Sequence, residues 1–231
     1  MPQSPRFYFS LRSPYSWLAY RDLVDHHPDV VDMLDWRPFW EPDEESARLL
    51  GEAGGSFPYV DMSRAKALYI LQDVRRLALR RGLTIAWPVD RVPRWEVPHL
   101  AYLAARRLGG GPLFVDAAYR ARWEQGRDIC DVATIGAIAA ELDLDPRPLM
   151  AAADDPDIRA EGTRALLAID ADGVFGVPFF VHRRDKYWGV DRLPDLVAAV
   201  RAAAPVVAMA ADGATAGSGP SADEGHAGGC G

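Results

Sequence analysis

A strand that runs straight into a proline-marked helix is the tightest constraint on this chain. Within Phe7-Tyr8-Phe9-Ser10-Leu11-Arg12-Ser13-Pro14-Tyr15-Ser16-Trp17-Leu18, apolar Phe7, Phe9 and Leu11 alternate with more polar positions, the pattern of a short half-buried strand. Ser13-Pro14 then reads as a helix start: a hydroxyl to cap free N–H groups, followed by proline at the first helical position, where no N–H is needed. From Tyr15 to about His26, residues Trp17, Leu18, Leu23 and Val24 recur at helical spacing. Such a junction points a hydroxyl and several unpaired N–H groups at one spot, a seat for a thiolate or another anion. Taken alone, the same residues also fit a plain helix cap, and fit it more readily.

Further along, Met33–Arg37 predicts a second strand ending at Pro38, so that strand, helix and strand form a parallel βαβ unit. Residues 41–63 read as a loop holding a short acidic helix at Glu44–Leu50. Ser63 or Arg64 begins a strong helix that ends at Gly82. Its expected core stripe is Ala67, Ile70, Leu71, Val74, Leu77 and Ala78, while Lys66, Tyr69 and Asp73 stand in one row on another face. That row fits a solvated face with ion pairs as well as a site. Thr84–Trp87 is short and extended. Helices are expected at about Val97–Leu108, Leu113–Glu124, Val132–Leu142 behind an Asp131 cap, and Asp157–Asp170.

The pattern then returns to strands. Pro178 opens one, Arg183-Arg184-Asp185 makes a hairpin turn, Lys186–Trp188 forms another, and Asp191 caps a last helix, Leu193–Ala203. From 205 to 231 the chain is mostly Ala, Gly, Ser, Pro and Asp, a composition that buries too little surface to order itself. Cys230 lies in that tail. The organisation expected is an α/β domain formed by 1–60 and 171–204, a helical insertion at 61–170, and a disordered tail.

Composition narrows the function classes. A formal charge of −7 and the lack of a dense basic run argue against a nucleic-acid surface. No apolar stretch approaches the ~18–20 residues of a membrane span, and no basic-then-apolar leader opens the chain, so a cytoplasmic protein with no membrane partner is expected. The two cysteines, Cys130 and Cys230, form neither a CxxC nor a metal-ligand spacing, and no metal site is expected.

A βαβ start, a helical insertion and a ββα finish give the layout of the thioredoxin-like fold. Ser13-Pro14-Tyr15-Ser16 stands where redox members of that fold carry Cys-Pro-x-Cys, and Val177-Pro178 where they carry the cis-proline. With Trp36-Arg37-Pro38, Lys66-Ala67-Leu68-Tyr69, Glu124-Gln125-Gly126-Arg127-Asp128-Ile129, Gly173-Val174-Phe175-Gly176-Val177-Pro178 and Trp188-Gly189-Val190-Asp191-Arg192-Leu193, the chain resembles the 2-hydroxychromene-2-carboxylate isomerases and the kappa-class glutathione transferases. These belong to the DsbA-like branch of the fold in which serine replaces cysteine.

The resemblance implies a set of roles. Glutathione, or another low-molecular-weight thiol, is the expected co-substrate, with Ser13 hydrogen-bonded to its sulfur as the catalytic residue. Val177 and Pro178 meet its peptide part, Asp191 with Arg192 its glutamyl end, and Lys66 the thiol or substrate. Tyr15, Ser16, Trp40, Tyr69 and Trp95 are expected around a small aromatic or conjugated substrate, with Phe57, Tyr59 and Trp123 as further aromatic candidates. Trp40, Trp95, Trp123, Phe57 and Tyr59 also fit ordinary core and lid packing. Relatives usually carry aspartate where Ser10 stands, a leucine- and glycine-rich turn in place of Phe39-Trp40-Glu41-Pro42, and an asparagine where Trp95-Glu96-Val97-Pro98 stands. The activity implied is thiol-dependent cis–trans isomerisation. Conjugation of the thiol to an electrophile, or non-catalytic binding on the same scaffold, are the alternatives, and a homodimer is the expected assembly. Serine cannot cycle through a disulfide, so disulfide exchange at this motif is not expected.

Overall fold

A computed structural model describes residues 4–58 and 62–203. Tyr59, the tail at 205–231 and Cys230 therefore lie outside the described residues. Strand β1 (Arg6–Phe9) leads through a four-residue loop into α1 (Pro14–His26). A short α2 (Pro28–Val31) then turns the chain into β2 (Asp35–Pro38), which runs parallel to β1 with Arg6 opposite Asp35 and Phe9 opposite Pro38. After the helical stretch, β3 (Phe179–His182) pairs antiparallel with β1, and β4 (Asp185–Trp188) antiparallel with β3, giving the sheet order β2-β1-β3-β4. The turn between β3 and β4 is two residues, Arg183-Arg184, with Asp185 already in β4.

The β1 alternation is masked by burial on both faces: every residue of the strand is buried. Phe7 stacks on Phe180 at 4.6 Å and meets Trp36 edge-on at 5.0 Å, so the sheet centre is an aromatic cluster whose burial drives assembly.

Between β2 and β3 come α3 (Glu44–Glu52), α4 (Arg64–Arg80), α5 (Glu96–Arg107), α6 (Gly111–Tyr119), α7 (Val132–Glu141), α8 (Pro146–Ala151) and α9 (Pro156–Asp172); α10 (Leu193–Ala203) closes the described chain. Thr84–Trp87 joins no strand; Ala86 only donates its N–H to the Trp123 carbonyl at 2.8 Å. The helix expected through Glu124 stops at Tyr119, where Arg120–Glu124 widens into a π-helical turn. Asp191 does not cap the last helix. It lies inside a 3-10 turn, Val190–Arg192, that leads directly into α10. No helix among the described residues is long and apolar enough to cross a membrane.

Helix α4 departs most from its predicted role. Ser63 caps it through the Lys66 N–H, and Gly82 follows it at φ +67°, the left-handed geometry that glycine supplies at a helix end. Of its expected core stripe, however, only Val74 and Ala78 are buried. Ile70 and Leu77 instead line a cavity, because the helix packs on α1 and not closely on the sheet.

Candidate active site

The loop that feeds α1 is braced from behind by a buried histidine. Nδ1 of His99 lies 2.7 Å from the Trp95 carbonyl, which can only accept, so Nδ1 carries the hydrogen. Nε2 then accepts from the Leu11 N–H at 3.0 Å. Burial pushes the imidazole pKa down to about 3, so the ring stays neutral and serves as a fixed prop. The Ser10 carbonyl takes the Ser13 N–H at 3.1 Å and the Tyr119 hydroxyl at 3.2 Å. Ser16, expected near substrate, instead points inward: its side chain is buried and its hydroxyl accepts from the Ser10 N–H at 3.2 Å. It belongs to the brace.

Ser13 therefore sits in an over-determined position. It is the N-cap of α1 (φ −85°, ψ 120°), and its Oγ accepts from the Ser16 N–H at 3.2 Å. That bond uses the oxygen and leaves the hydroxyl hydrogen free to donate. Pro14 has no N–H and the Trp17 N–H is taken by the Ser13 carbonyl at 3.1 Å. Among the described residues the Tyr15 N–H is left without a partner, at the positive end of the helix.

Pro178 lies beside this point. Phe179 pairs with Tyr8, which brings Pro178 level with Phe9 and next to the Ser10–Ser13 loop, and the Val177–Pro178 peptide bond is cis. A cavity of about 450 Å³ opens between this face and α4. Lys66, Tyr69 and Asp73 line it along α4, with Tyr15, Val177, Pro178 and Asp191 among the residues facing them. The row on α4 is thus a cavity wall. Tyr15 donates to Asp73 Oδ2 at 2.9 Å. Burial, and then that carboxylate, push the phenol well above its ordinary range, so it stays protonated.

A second cavity, about 240 Å³, lies on the other side of Lys66, which lines both. Trp40 forms part of its wall although the ring is almost fully buried, with Phe39, Phe57 and Phe175 completing the aromatic surface. Arg12 and Glu41 form one of its edges, paired at 2.8 Å.

Of the expected site residues, Ser13, Ser16, Trp95 and Arg192 line neither cavity; Ser13 is flanked by Arg12, which lines the second, and lies two residues before Tyr15, which lines the first. Trp95 is buried, with the guanidinium of Arg12 at 5.1 Å and that of Arg122 at 5.0 Å from its ring; cation–π packing occupies it. Arg192 is half-exposed and paired with Asp191 at 3.2 Å. Trp123, likewise buried, stacks on Trp17 at 6.3 Å and lines neither cavity. Sequence reasoning missed His99, Arg12, Glu41, Phe39 and Phe175. Only the position of Arg12, one residue before Ser13, signals a part in the site.

Gly189 fixes the far wall. Its backbone (φ +101°, ψ 161°) lies in a region open essentially to glycine alone, and a Cβ there would stand 2.7 Å from Asp191 Oδ1. Gly189→Ala is expected to cost roughly 1–3 kcal/mol and to swing the Asp191 carboxylate out of the cavity. Calorimetric melting together with a thiol-binding titration measures both effects; unchanged melting and unchanged binding would show that this wall tolerates a side chain.

The arrangement offers one hydroxyl donor and one free N–H at a helix N-terminus, next to a cis-proline, while the neighbouring Arg12 and Tyr15 line two unequal cavities that share a lysine. It is suited to holding a soft anion at Ser13 and presenting it to a flat, apolar partner.

Comparison with known proteins gives a consistent setting. Residues 6–201 match the model of the DSBA-like thioredoxin domain. A 2-hydroxychromene-2-carboxylate isomerase from Sphingobium xenophagum is 28% identical over 194 residues, covering 84% of this chain and 95% of that protein. Among solved structures, a 2-hydroxychromene-2-carboxylate isomerase superposes with a TM-score of 0.68 at 22% identity, covering 86% of this chain and 94% of the other. The cytosolic disulfide reductase DsbM from Pseudomonas aeruginosa, solved with GSH, superposes with a TM-score of 0.59 at 17% identity, covering 87% and 98%.

Proposed function

Because the chain belongs to the DsbA-like thioredoxin domain family, we propose that it is a thiol-dependent cis–trans isomerase of the 2-hydroxychromene-2-carboxylate isomerase type, acting in the cytoplasm on a small aromatic or conjugated alkenoyl substrate. The observation that carries this reading is Ser13: a hydroxyl, with its hydrogen free, occupies the helix N-terminus where the redox members hold their nucleophilic sulfur. A chain with serine at 13 and 16 cannot run disulfide exchange there. The cysteine among the described residues, Cys130, is buried with its thiol pKa pushed up to about 12, so it does not replace them.

The donor set fits glutathione or a similar small thiol. Ser13 and the Tyr15 N–H would face the sulfur, the Val177 backbone would pair with a peptide-like stem, and Asp191 and Lys66 would meet its charged ends. When bound, the thiol supplies a reversible nucleophile that turns a conjugated double bond into a rotatable single bond and then departs. The chain's residues make that feasible. The positive end of α1 and the Ser13 hydroxyl favour the ionised sulfur. Lys66, shared by both cavities, is placed to stabilise negative charge that develops on a substrate oxygen. The aromatic wall of the second cavity keeps the substrate flat and excludes water.

Incubation with glutathione and a cis-configured hydroxychromene or alkenoyl substrate is expected to give the trans isomer with the mass of the starting material. A product that retains the thiol would make the protein a conjugating transferase of the kappa type. Absence of turnover with every thiol would make it a binder.

A further inference from the structure

One aromatic side chain of the second cavity is firmly supported and yet left open. Phe175 lines that cavity and is 52% exposed. Two aromatic neighbours that do not belong to the lining meet its ring edge-to-face, Phe179 at 5.4 Å and Trp188 at 4.9 Å. Phe179 is buried in β3 and gives a fixed support. Trp188 comes close because residue 176 is glycine: a Cβ there would stand 3.1 Å from the indole Nε1. Phe39 and Phe57, in contact with each other at 5.0 Å, line the same cavity. Its aromatic surface is thus assembled from the segment after β2 and the segment before the cis-proline.

A half-exposed phenylalanine leaves apolar surface in water that a ligand can cover. Here edge-to-face packing fixes the ring in advance, so a substrate that stacks on it costs little side-chain freedom. An aryl ring also gains the quadrupole interaction that aromatic pairs add to plain area burial. A saturated ring of the same size buries as much apolar surface, but it has no π face and is thicker. The charged residues of the lining, Arg12, Glu41 and Lys66, sum to a net positive charge. They do not tell the two rings apart when both carry the same carboxylate.

We propose that Phe175 is a specificity-determining residue: its half-exposed ring, held by Phe179 and Trp188, makes the second cavity select aryl-substituted conjugated substrates over non-aromatic ones of equal size. This rests on reading that cavity as the substrate half of the proposed isomerase site. Of the two substrate classes named above, it favours the aromatic one.

The test is calorimetric binding of trans-cinnamate and trans-3-cyclohexylpropenoate to the full chain with no thiol present, so that turnover plays no part. The two acids share a carboxylate and a conjugated double bond and differ in the ring alone. The wild type is expected to bind cinnamate roughly three- to tenfold more tightly. Phe175→Leu, or Phe175→Ile should the first fail to fold, keeps apolar bulk and should bring the ratio near one by weakening cinnamate. Phe175→Tyr should retain the preference. Equal or tighter binding of the cyclohexyl acid by the wild type, an unchanged ratio in the aliphatic variant, a lost ratio in Phe175→Tyr, or no binding of either acid would each overturn the proposal. A failure of thiol-dependent turnover with this binding ratio intact would instead count against the isomerase reading alone.

Discussion

Ser13→Ala is expected to lower thiol-dependent isomerisation by about 10²–10³-fold, the usual cost of deleting one donor to a developing or bound anion. The loss should appear mainly with the thiol saturating, because Lys66 and the Val177–Asp191 side of the cavity remain to hold the rest of the molecule. Stability should fall by only about 1 kcal/mol, since the substitution removes the N-cap bond to the Ser16 N–H and nothing from the core. The brace of His99, Ser10 and Ser16 acts on backbone groups and does not involve the Ser13 hydroxyl, so the loop should keep its shape. Steady-state kinetics beside a melting curve separates the two effects. An unchanged rate with bound thiol would remove Ser13 from the chemistry.

Trp40→Ala is expected to have the largest effect on stability, about 3–5 kcal/mol, which for a chain of this size lowers Tm by roughly 10–15 °C. The indole is almost fully buried, lies nearly parallel to the His99 ring at 5.6 Å, and donates to Glu96 Oε1 at 3.2 Å. Glu96 is itself buried, and burial raises its pKa. Without the indole its carboxyl keeps only the Asp43 N–H at 2.6 Å. Cavity and polar terms therefore add. Trp40→Phe, which keeps most of the ring, should lose far less. Because Trp40 also walls the second cavity, the alanine variant should bind a small aromatic substrate poorly even well below its melting point. Thermal denaturation with a substrate titration checks both; a Tm shift under about 2 °C for the alanine variant would contradict the packing described.

How much of this was legible in the sequence depended on whether the cause was local. The β1–Ser13–α1 junction was readable because capping and proline placement act within four residues, and the row Lys66, Tyr69, Asp73 was readable from helical spacing alone. That the row faces a cavity was not, since it depends on α4 standing away from the sheet. Helix α8 went unseen because Pro146-Arg147-Pro148 resembles a breaker, although Asp145 capping the Arg147 N–H ahead of Pro146 was the signal for a start. The π-helical turn at Arg120–Glu124 has a distant cause. Arg122 is buried, bonded twice to Asp90 at 2.7 and 2.8 Å, and sandwiched by Trp95 and Trp123. The resemblance implies substrate contacts for Ser16 and Trp95, whereas the Ser10 N–H holds the Ser16 hydroxyl in the framework and the distant guanidinium of Arg122, with that of Arg12, packs on Trp95. The Arg12–Glu41 pair joins residues 29 apart, and no spacing rule reveals it.

The most direct measurement is the ionisation of a thiol bound to the protein. With glutathione held at saturation, pH is varied and thiolate is followed by its ultraviolet absorbance in wild type and in Ser13→Ala. A free alkyl thiol titrates near 8.5; in the wild type the bound thiol should titrate at least about one unit lower, and Ser13→Ala should return it toward the free value. A bound thiol that titrates like free glutathione in the wild type would contradict the central claim that Ser13 and the α1 N-terminus hold a borrowed thiolate.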